Sequence, residues 1–236
     1  WGMGGLAMKR LQKLHGAHRH IRHTPYRYLL VLLLGFLLSY PFFVGSRIGR
    51  EAMGAFIMAV LVLGVFSATR TKLLRVVAIG LAAPAFVLQL LYLSMRDETT
   101  FFAAGIGAML VVLFTLANMF AYVVRPAAVT TDRIAAAVCA YLLLGLLWAG
   151  FYAFVDVLVP DSFIALGGGV RQGHFYEFVY FSFTTLTTTG YGDIVPASFH
   201  ARALANVEQF VGIFYIALLI ARLTGLYRSS DVKADG

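Results

Sequence analysis

The sequence predicts an all-α integral membrane protein with six transmembrane helices and one shorter helix that enters the membrane and returns to the same side. Composition is the first reason: the 236 residues are 60% hydrophobic and 13% charged, whereas soluble domains are about 45–50% apolar and about 25% charged. The second is a mean hydropathy of +0.81. The third is that the apolar residues form long blocks with the charged residues clustered between them, whereas the apolar residues of a soluble domain need not form such blocks.

Six of these blocks are long enough to span a bilayer. A spanning helix needs about 20 mostly apolar residues, and its backbone polar groups must bond within the helix because lipid offers no partners. The blocks are 27–45, 52–69, 73–95, 99–124, 133–157 and 203–226. Another apolar stretch, 174–186, is too short to span, so we predict that it is re-entrant.

The Lys and Arg residues indicate the orientation, because cytoplasmic loops are rich in them. With the N-terminus in the cytoplasm, fourteen of the 19 Lys and Arg residues are cytoplasmic and five are outside. We therefore expect a multi-pass protein of the plasma (cell inner) membrane, with both termini cytoplasmic and the re-entrant stretch entering from outside. These loops account for the net charge of +8 without nucleic acid as a partner.

Four segments are predicted along the chain. They are a basic cytoplasmic segment (1–26), a four-helix bundle (27–125), a unit with the last two spans and the re-entrant stretch (126–226) and a short cytoplasmic tail (227–236). The boundary between the bundle and the next unit lies in RPAAVTTDR, where Thr131 or Asp132 is expected to cap the fifth helix. Cys139, the only cysteine, lies within an apolar block and is expected to be a core residue.

Intramembrane catalysis is excluded by the residue types present. No histidine lies inside a predicted span, and neither GxSxG nor HExxH occurs. The histidines of HGAHRHIRH, 15–23, lie among basic residues before the first span, where a lipid headgroup surface explains them better than a metal site does. We therefore expect no enzyme and no cofactor.

The most informative stretch is TTLTTTGYGD, 184–193, between the last two spans. Irregular backbone at membrane depth is tolerated only where it is buried in protein or lines a watery path. Gly190 and Gly192 can adopt positive φ, and this alternation lets successive carbonyls face one axis. Rows of carbonyl oxygens can replace the water shell of a cation, and the C-terminal end of the short helix adds partial negative charge.

This stretch resembles the pore loop and selectivity filter of the potassium channel superfamily, whose filter core is TVGYG. The similarity runs from Phe181 to Pro196 and includes GYGD intact. The resemblance implies that Gly192 permits a bend at the outer mouth and that Asp193 lies there. It also implies potassium-binding carbonyls at four residues: Thr188, Thr189, Gly190 and Tyr191.

Carried further, the resemblance implies a homotetramer in the lipid bilayer that conducts potassium passively, with K+ as the permeant ion and no cofactor. Thr189 stands where valine is commonest, which leaves a non-selective cation channel as the alternative; a regulatory subunit that does not conduct is also open. Tyr180 and Phe181 replace paired tryptophans on the pore helix, and Thr184 replaces a glutamate that some members have behind the filter. All three are predicted to support the filter.

The four-helix bundle resembles a voltage-sensor domain without sensor charges. Voltage sensing needs on the order of 3–4 moving charges in the fourth span of each subunit. Here no Lys or Arg occurs between Thr99 and Val124. We expect weak voltage dependence or none.

The last span contains an ionisable residue, Glu208, which is a functional candidate by its position in lipid. We predict that it supports the filter from behind, with an ordinary interfacial role as the alternative. Gly212 matches a gating hinge of the family, although close packing against a neighbour explains a glycine equally well. Ile216 and Ile220 share its helix face and are expected to line the cavity below the filter.

Overall fold

Helices form most of the chain in this computed structural model. The structure describes residues 25–43, 71–125, 130–166, 168–169 and 175–231, together with seven positions between 54 and 64. The helices are α1 (Pro25–Phe43), α2 (Lys72–Met95), α3 (Glu98–Val124), α4 (Thr131–Leu158), α5 (Phe175–Leu186) and α6 (Phe199–Asp231). Three short strands are β1 (Phe163–Ala165), β2 (Gly168–Gly169) and β3 (Ile194–Pro196).

Four helices of the described chain are long and apolar enough to cross a membrane, which makes this a multi-pass membrane protein. They are Lys72–Met95, Glu98–Val124, Thr131–Leu158 and Phe199–Arg222. Helix α1 contains a shorter apolar stretch, Tyr26–Tyr40. The second predicted span, 52–69, lies mostly outside the described residues, although the positions described there are helical. A total of six spans remains a prediction.

Polar side chains fix the ends of α2 and α3. Thr71 caps α2 by accepting from the Leu74 N–H over 3.2 Å, and Asp97 caps α3 by accepting from the Thr100 N–H over 3.3 Å. Hydrogen bonding from the Thr100 hydroxyl lowers the pKa of Asp97 below its ordinary value. Between these caps Arg96 has a φ of 57°, so the chain reverses direction within two residues and pairs α2 with α3.

The cap of α4 corrects an expectation. Thr130 is the N-cap, with extended backbone and a hydroxyl that accepts from the Arg133 N–H over 3.2 Å, whereas Thr131 and Asp132 are already helical. The Thr131 hydroxyl instead accepts a hydrogen bond from Arg27 at the start of α1. Two adjacent threonines are equivalent as caps on sequence grounds, and this tertiary contact distinguishes them. The predicted N-terminal segment and the histidine stretch 15–23 lie outside the described residues.

Helix α4 is the centre of the described structure, because it contacts α1, α3, α5 and α6. Its buried face is rich in small residues, which allow neighbouring helices to approach closely. They include Ala135, Ala136, Ala137, Cys139, Ala140, Gly145 and Ala149. Cys139 is buried as expected. Helix α6 leaves much of one face exposed, including Phe210, Phe214 and Leu218.

A small antiparallel sheet, in the order β2-β1-β3, joins the segments before and after α5. Ile164 is opposite Val195, and Ala165 is opposite Ile194. The prediction of an all-α chain did not include this sheet. Strands of two or three residues are too short to give a periodic hydrophobic pattern, so only the folded chain reveals their pairing.

Candidate functional site

Helix α5 ends in the threonine-rich stretch, where two backbone hydrogen bonds close its last turn. The Thr188 N–H donates to the Thr185 carbonyl over 2.9 Å, and the Thr189 N–H donates to the Thr184 carbonyl over 2.8 Å. This is the Schellman pattern, which puts a left-handed residue just after the helix. That residue is Thr188, with a φ of 58°. The chain therefore turns sharply at Thr188, just after α5 ends.

Positive φ recurs at every second residue of the segment 188–192, which we call the candidate filter. The φ angles of Thr188, Gly190 and Gly192 are 58°, 54° and 79°, whereas Thr189 and Tyr191 between them do not have positive φ. An extended strand would point successive carbonyls to opposite sides. The left-handed residues at every second position break that pattern, and both glycines take the positive φ expected of them.

The candidate filter is exposed in the single chain. Residues 187–192 are exposed, and the Tyr191 side chain is 72% accessible. An open groove of about 430 Å³ separates the segment from α6 and is lined in part by Thr188, Gly190, Asn206 and Gln209. Irregular backbone of this kind in a membrane protein must be buried in protein or line a water-filled cavity. One chain alone does not bury it.

The hydroxyls of Thr184, Thr187 and Thr189 find partners within the loop or the end of α5. The Thr189 hydroxyl lies 2.9 Å from the Thr187 hydroxyl. The Thr184 hydroxyl donates to the Phe181 carbonyl of its own helix over 2.9 Å. Thr184 reaches the candidate filter through its carbonyl, which accepts from the N–H groups of Thr189 and Gly190.

Tyr180 connects α5 to the far end of the candidate filter. Its hydroxyl donates to Asp193 Oδ2 over 2.7 Å, and its ring is parallel to that of Tyr191 with centroids 6.3 Å apart. Asp193 Oδ1 accepts from the Ile194 N–H. Phe181 points elsewhere, into an aromatic cluster with Tyr152 and Phe163. The two residues predicted to replace a tryptophan pair therefore make different contacts.

Glu208 is fully buried, and three helices meet at its carboxyl group. Tyr152 on α4 donates to its Oε2 atom, and the Ser182 hydroxyl on α5 lies 2.5 Å from its Oε1 atom. Ser182 Oγ also donates to the Gly145 carbonyl over 2.7 Å. Because a hydroxyl has one proton to give, a protonated Glu208 satisfies both contacts of Ser182. The carboxyl group thus joins α6 to the helix that precedes the candidate filter.

Gly212 lies against the last residue of α5. A Cβ atom placed on Gly212 would be 2.2 Å from the Leu186 carbonyl oxygen, so the glycine allows close contact between α6 and α5. The same carbonyl accepts from the Tyr141 hydroxyl over 3.3 Å, and the ring of Tyr141 packs on Tyr215. This contact gives Gly212 a packing role; the gating hinge stays a prediction. Ile216 and Ile220 are exposed on α6, and their cavity role also stays a prediction.

Three residues of this site were missed by the sequence analysis: Tyr141, Tyr152 and Ser182. Ser182 had a signal, because it is a small polar residue within the aromatic run FVYFSF. The tyrosines had none, since tyrosine is common at membrane interfaces and their partners lie on other helices. The described residues include no group of three or more His, Cys, Asp or Glu side chains able to hold a metal ion. Backbone carbonyls and hydroxyls are the chemistry that the candidate filter offers.

Comparisons with known proteins agree with this part of the chain. Residues 140–229 match a family described as ion channels. Two similar curated proteins are Two pore potassium channel a and Two pore potassium channel b of Oryza sativa subsp. japonica, 34% and 35% identical over 83 residues. These residues are 35% of this chain and 21% of each relative, so the chain aligns with about a fifth of their length. No solved structure matches. The matches are to channels and not to enzymes, and the family match includes the candidate filter.

Proposed function

We propose that four copies of this chain form a potassium-selective channel, with residues 188–192 of each copy as the selectivity filter. Potassium sheds its water and passes along carbonyls of Thr188, Thr189, Gly190 and Tyr191, with the Thr188 hydroxyl at the innermost position. The observation that carries the proposal is the positive φ at every second residue of the GYGD-bearing loop.

The alternation supports the proposal because it turns neighbouring carbonyls toward one side. A row of such oxygens can replace the hydration shell of potassium. Both glycines of GYG take the left-handed conformation that other residues resist. The mechanism needs no titrating side chain, in keeping with a loop of threonine, glycine and tyrosine.

The exposure of the candidate filter supports a homotetramer. Each chain supplies one loop, and a carbonyl ring around an ion takes four. The groove of about 430 Å³ beside Thr188 and Gly190 is open in the single chain, so this side of the loop has no cover of its own. Chemical cross-linking of the protein in liposomes is expected to give bands up to four chains. We further propose a plasma-membrane location with both termini cytoplasmic, which protection of terminal tags from added protease would test.

The test is ion flux from the purified full chain in liposomes, with potassium or sodium as the only cation, at zero and at imposed voltage. We expect flux with potassium and little with sodium. Equal flux would favour the non-selective cation channel and implicate Thr189. Without any flux, a barium- or potassium-binding assay separates a closed channel, which binds the ions, from a regulatory subunit, which does not.

A matched pair of glycine variants tests the filter itself. A Cβ atom added to Gly190 or to Gly80 meets nothing within 4 Å, so neither change is a steric clash. Gly190 has a φ of 54°, where an L-residue costs about 1–2 kcal/mol, and the strain is repeated in four copies. We expect Gly190→Ala to abolish selective potassium flux and Gly80→Ala, in α2, to preserve it. Equal flux from the two variants would contradict the filter assignment.

A further inference from the structure

The segment that follows the candidate filter is bound to the segment that precedes α5. The Leu166 N–H donates to the Asp193 carbonyl over 2.8 Å, and the Ala197 N–H donates to the Ser162 carbonyl over 2.7 Å. Between these bonds β1 pairs with β3, residue by residue. Asp193 is the first residue after the candidate filter, so the strand pairing begins where the filter ends.

Strand β1 is itself anchored in the protein interior. Phe163 is only 3% exposed. Its ring lies 5.5 Å from that of Tyr152, 5.1 Å from that of Phe178 and 5.4 Å from that of Phe181. Tyr152 belongs to α4 and both phenylalanines to α5. The strand therefore moves only if this aromatic cluster moves with it.

Strand β3 is also held from the side of α6. The Arg202 Nε donates to the Pro196 carbonyl over 3.1 Å. Pro196 is opposite Phe163, one residue along from the hydrogen-bonded pair of Ser162 and Ala197. In an antiparallel ladder such alternate pairs exchange no hydrogen bonds. The missing N–H of Pro196 therefore leaves no gap in the ladder.

We infer that β1 is a positioning element for the candidate filter: it fixes the Asp193 end of residues 188–192, as the last turn of α5 fixes the other end. This inference rests on the proposed function, because it assigns a task to a strand outside the ion path. A short segment held at both ends keeps its alternating backbone when ions are scarce. With β3 released, the outer end of the segment is free to change conformation whenever potassium leaves.

The first test removes one hydrogen bond. Leu166 is 80% exposed, so Leu166→Pro deletes the donor to Asp193 with little loss of packing, and Leu166→Ala keeps the donor as the matched control. Amide hydrogen exchange of residues 187–193 is measured on the full chain in liposomes, in potassium and in sodium. Wild type and Leu166→Ala are expected to exchange more slowly in potassium. In sodium we expect exchange in Leu166→Pro to be about five- to tenfold faster than in Leu166→Ala, because one hydrogen bond is lost.

The second test joins β1 to β3 again by a disulfide in the Leu166→Pro protein. Ile164 and Val195 are directly opposite and both partly exposed, and the only native cysteine, Cys139, is buried. Antiparallel partners lie within disulfide range. Ile164→Cys with Val195→Cys, added to Leu166→Pro, is expected to restore slow exchange when oxidised and to lose it when reduced.

Flux separates the two proposals. If wild type conducts potassium but exchange at 187–193 is the same in Leu166→Pro and Leu166→Ala, β1 is not a positioning element and the channel stands. Failure of oxidation to slow exchange in the double-cysteine protein also overturns the inference. If wild type neither conducts nor binds potassium, the proposed function fails. An exchange rate that still depends on Leu166 would then show that β1 positions this loop, but for a function other than potassium conduction.

Discussion

Glu208 illustrates how a single buried side chain connects the elements of this site. Its two oxygens contact Tyr152 and Ser182, which belong to different helices. Each hydroxyl would be left without this partner if the carboxyl group were removed, and a buried polar group without a partner costs about 1–3 kcal/mol. The residue is therefore worth testing by a change that keeps both contacts and by one that removes them.

We expect Glu208→Gln to be close to wild type and Glu208→Ala to be destabilised by about 2–4 kcal/mol. Glutamine offers an N–H₂ donor to Ser182 and a carbonyl acceptor to Tyr152, as a protonated carboxyl group does. The measurement is the midpoint of thermal unfolding in lipid, together with potassium flux. Strong destabilisation by glutamine would mean that Glu208 works as a charged carboxylate.

Gly212 is the second residue whose environment leads to a prediction. Because its Cβ position is 2.2 Å from the Leu186 carbonyl oxygen, Gly212→Ala forces α6 away from the end of α5. Overpacking of this kind costs about 1–3 kcal/mol, and we expect a lower unfolding midpoint with reduced potassium flux. Gly80→Ala is the control. A variant of full stability but altered gating would favour the hinge prediction over packing.

At the scale of elements, α5 and the loop after it form one unit joined by Tyr180 and Asp193. Their hydrogen bond of 2.7 Å spans the whole candidate filter, since Tyr180 precedes the filter and Asp193 follows it. Asp193, at the outer end of the candidate filter, is therefore bound twice: by Leu166 after β1 and by Tyr180 on α5.

We expect Tyr180→Phe to shorten the time over which potassium flux persists when external potassium is low. The change removes one hydrogen bond to Asp193, and hydrogen bonds to charged groups are worth about 1.5–3 kcal/mol; solvent exposure of this pair puts the effect at the lower end. Phenylalanine keeps the ring beside Tyr191. Tyr28→Phe on the exposed face of α1 is the control, and an identical flux decay in both variants would count against a stabilising role for the bond.

The elements differ in how well the sequence predicted them. The ends of α2, α3 and α5 agree with the predicted blocks within a residue or two, because hydropathy and caps are local properties of the chain. The sheet was missed, since β1 and β3 are separated by α5 and neither has a pattern of its own. The choice of Thr130 as cap depended on a contact from Arg27 to its neighbour, which no local pattern contains.

At the scale of the whole molecule, two arginine side chains connect α3 with the helices that follow it. Arg222, on α6, donates to the Val124 carbonyl at the end of α3 over 2.6 Å, where a cation suits the helix dipole. Arg133 lies over the ring of Tyr122 at 5.3 Å. The first contact connects α3 with α6, the helix proposed to line the pore, and the second connects α3 with α4.

We expect the conductance of the protein to depend only weakly on voltage. Helix α3 has no Lys or Arg within Glu98–Val124, whereas steep voltage dependence takes on the order of 3–4 gating charges per subunit. A conductance–voltage curve from the reconstituted protein should be shallow, with less than about one charge per subunit. A steep curve would require charges elsewhere in the chain to move through the field.

The sequence by itself determined that this is a membrane protein, where most spans begin and end, and which loop carries the filter motif. Hydropathy, charge clustering and a contiguous motif are local, so they survive without knowledge of the fold. The tertiary structure decided what Glu208 and Gly212 touch, that Ser182, Tyr141 and Tyr152 belong to the candidate site, and that β1 pairs with the segment after the candidate filter. Those contacts join residues far apart in the chain, and only the packing of α4, α5 and α6 brings them together.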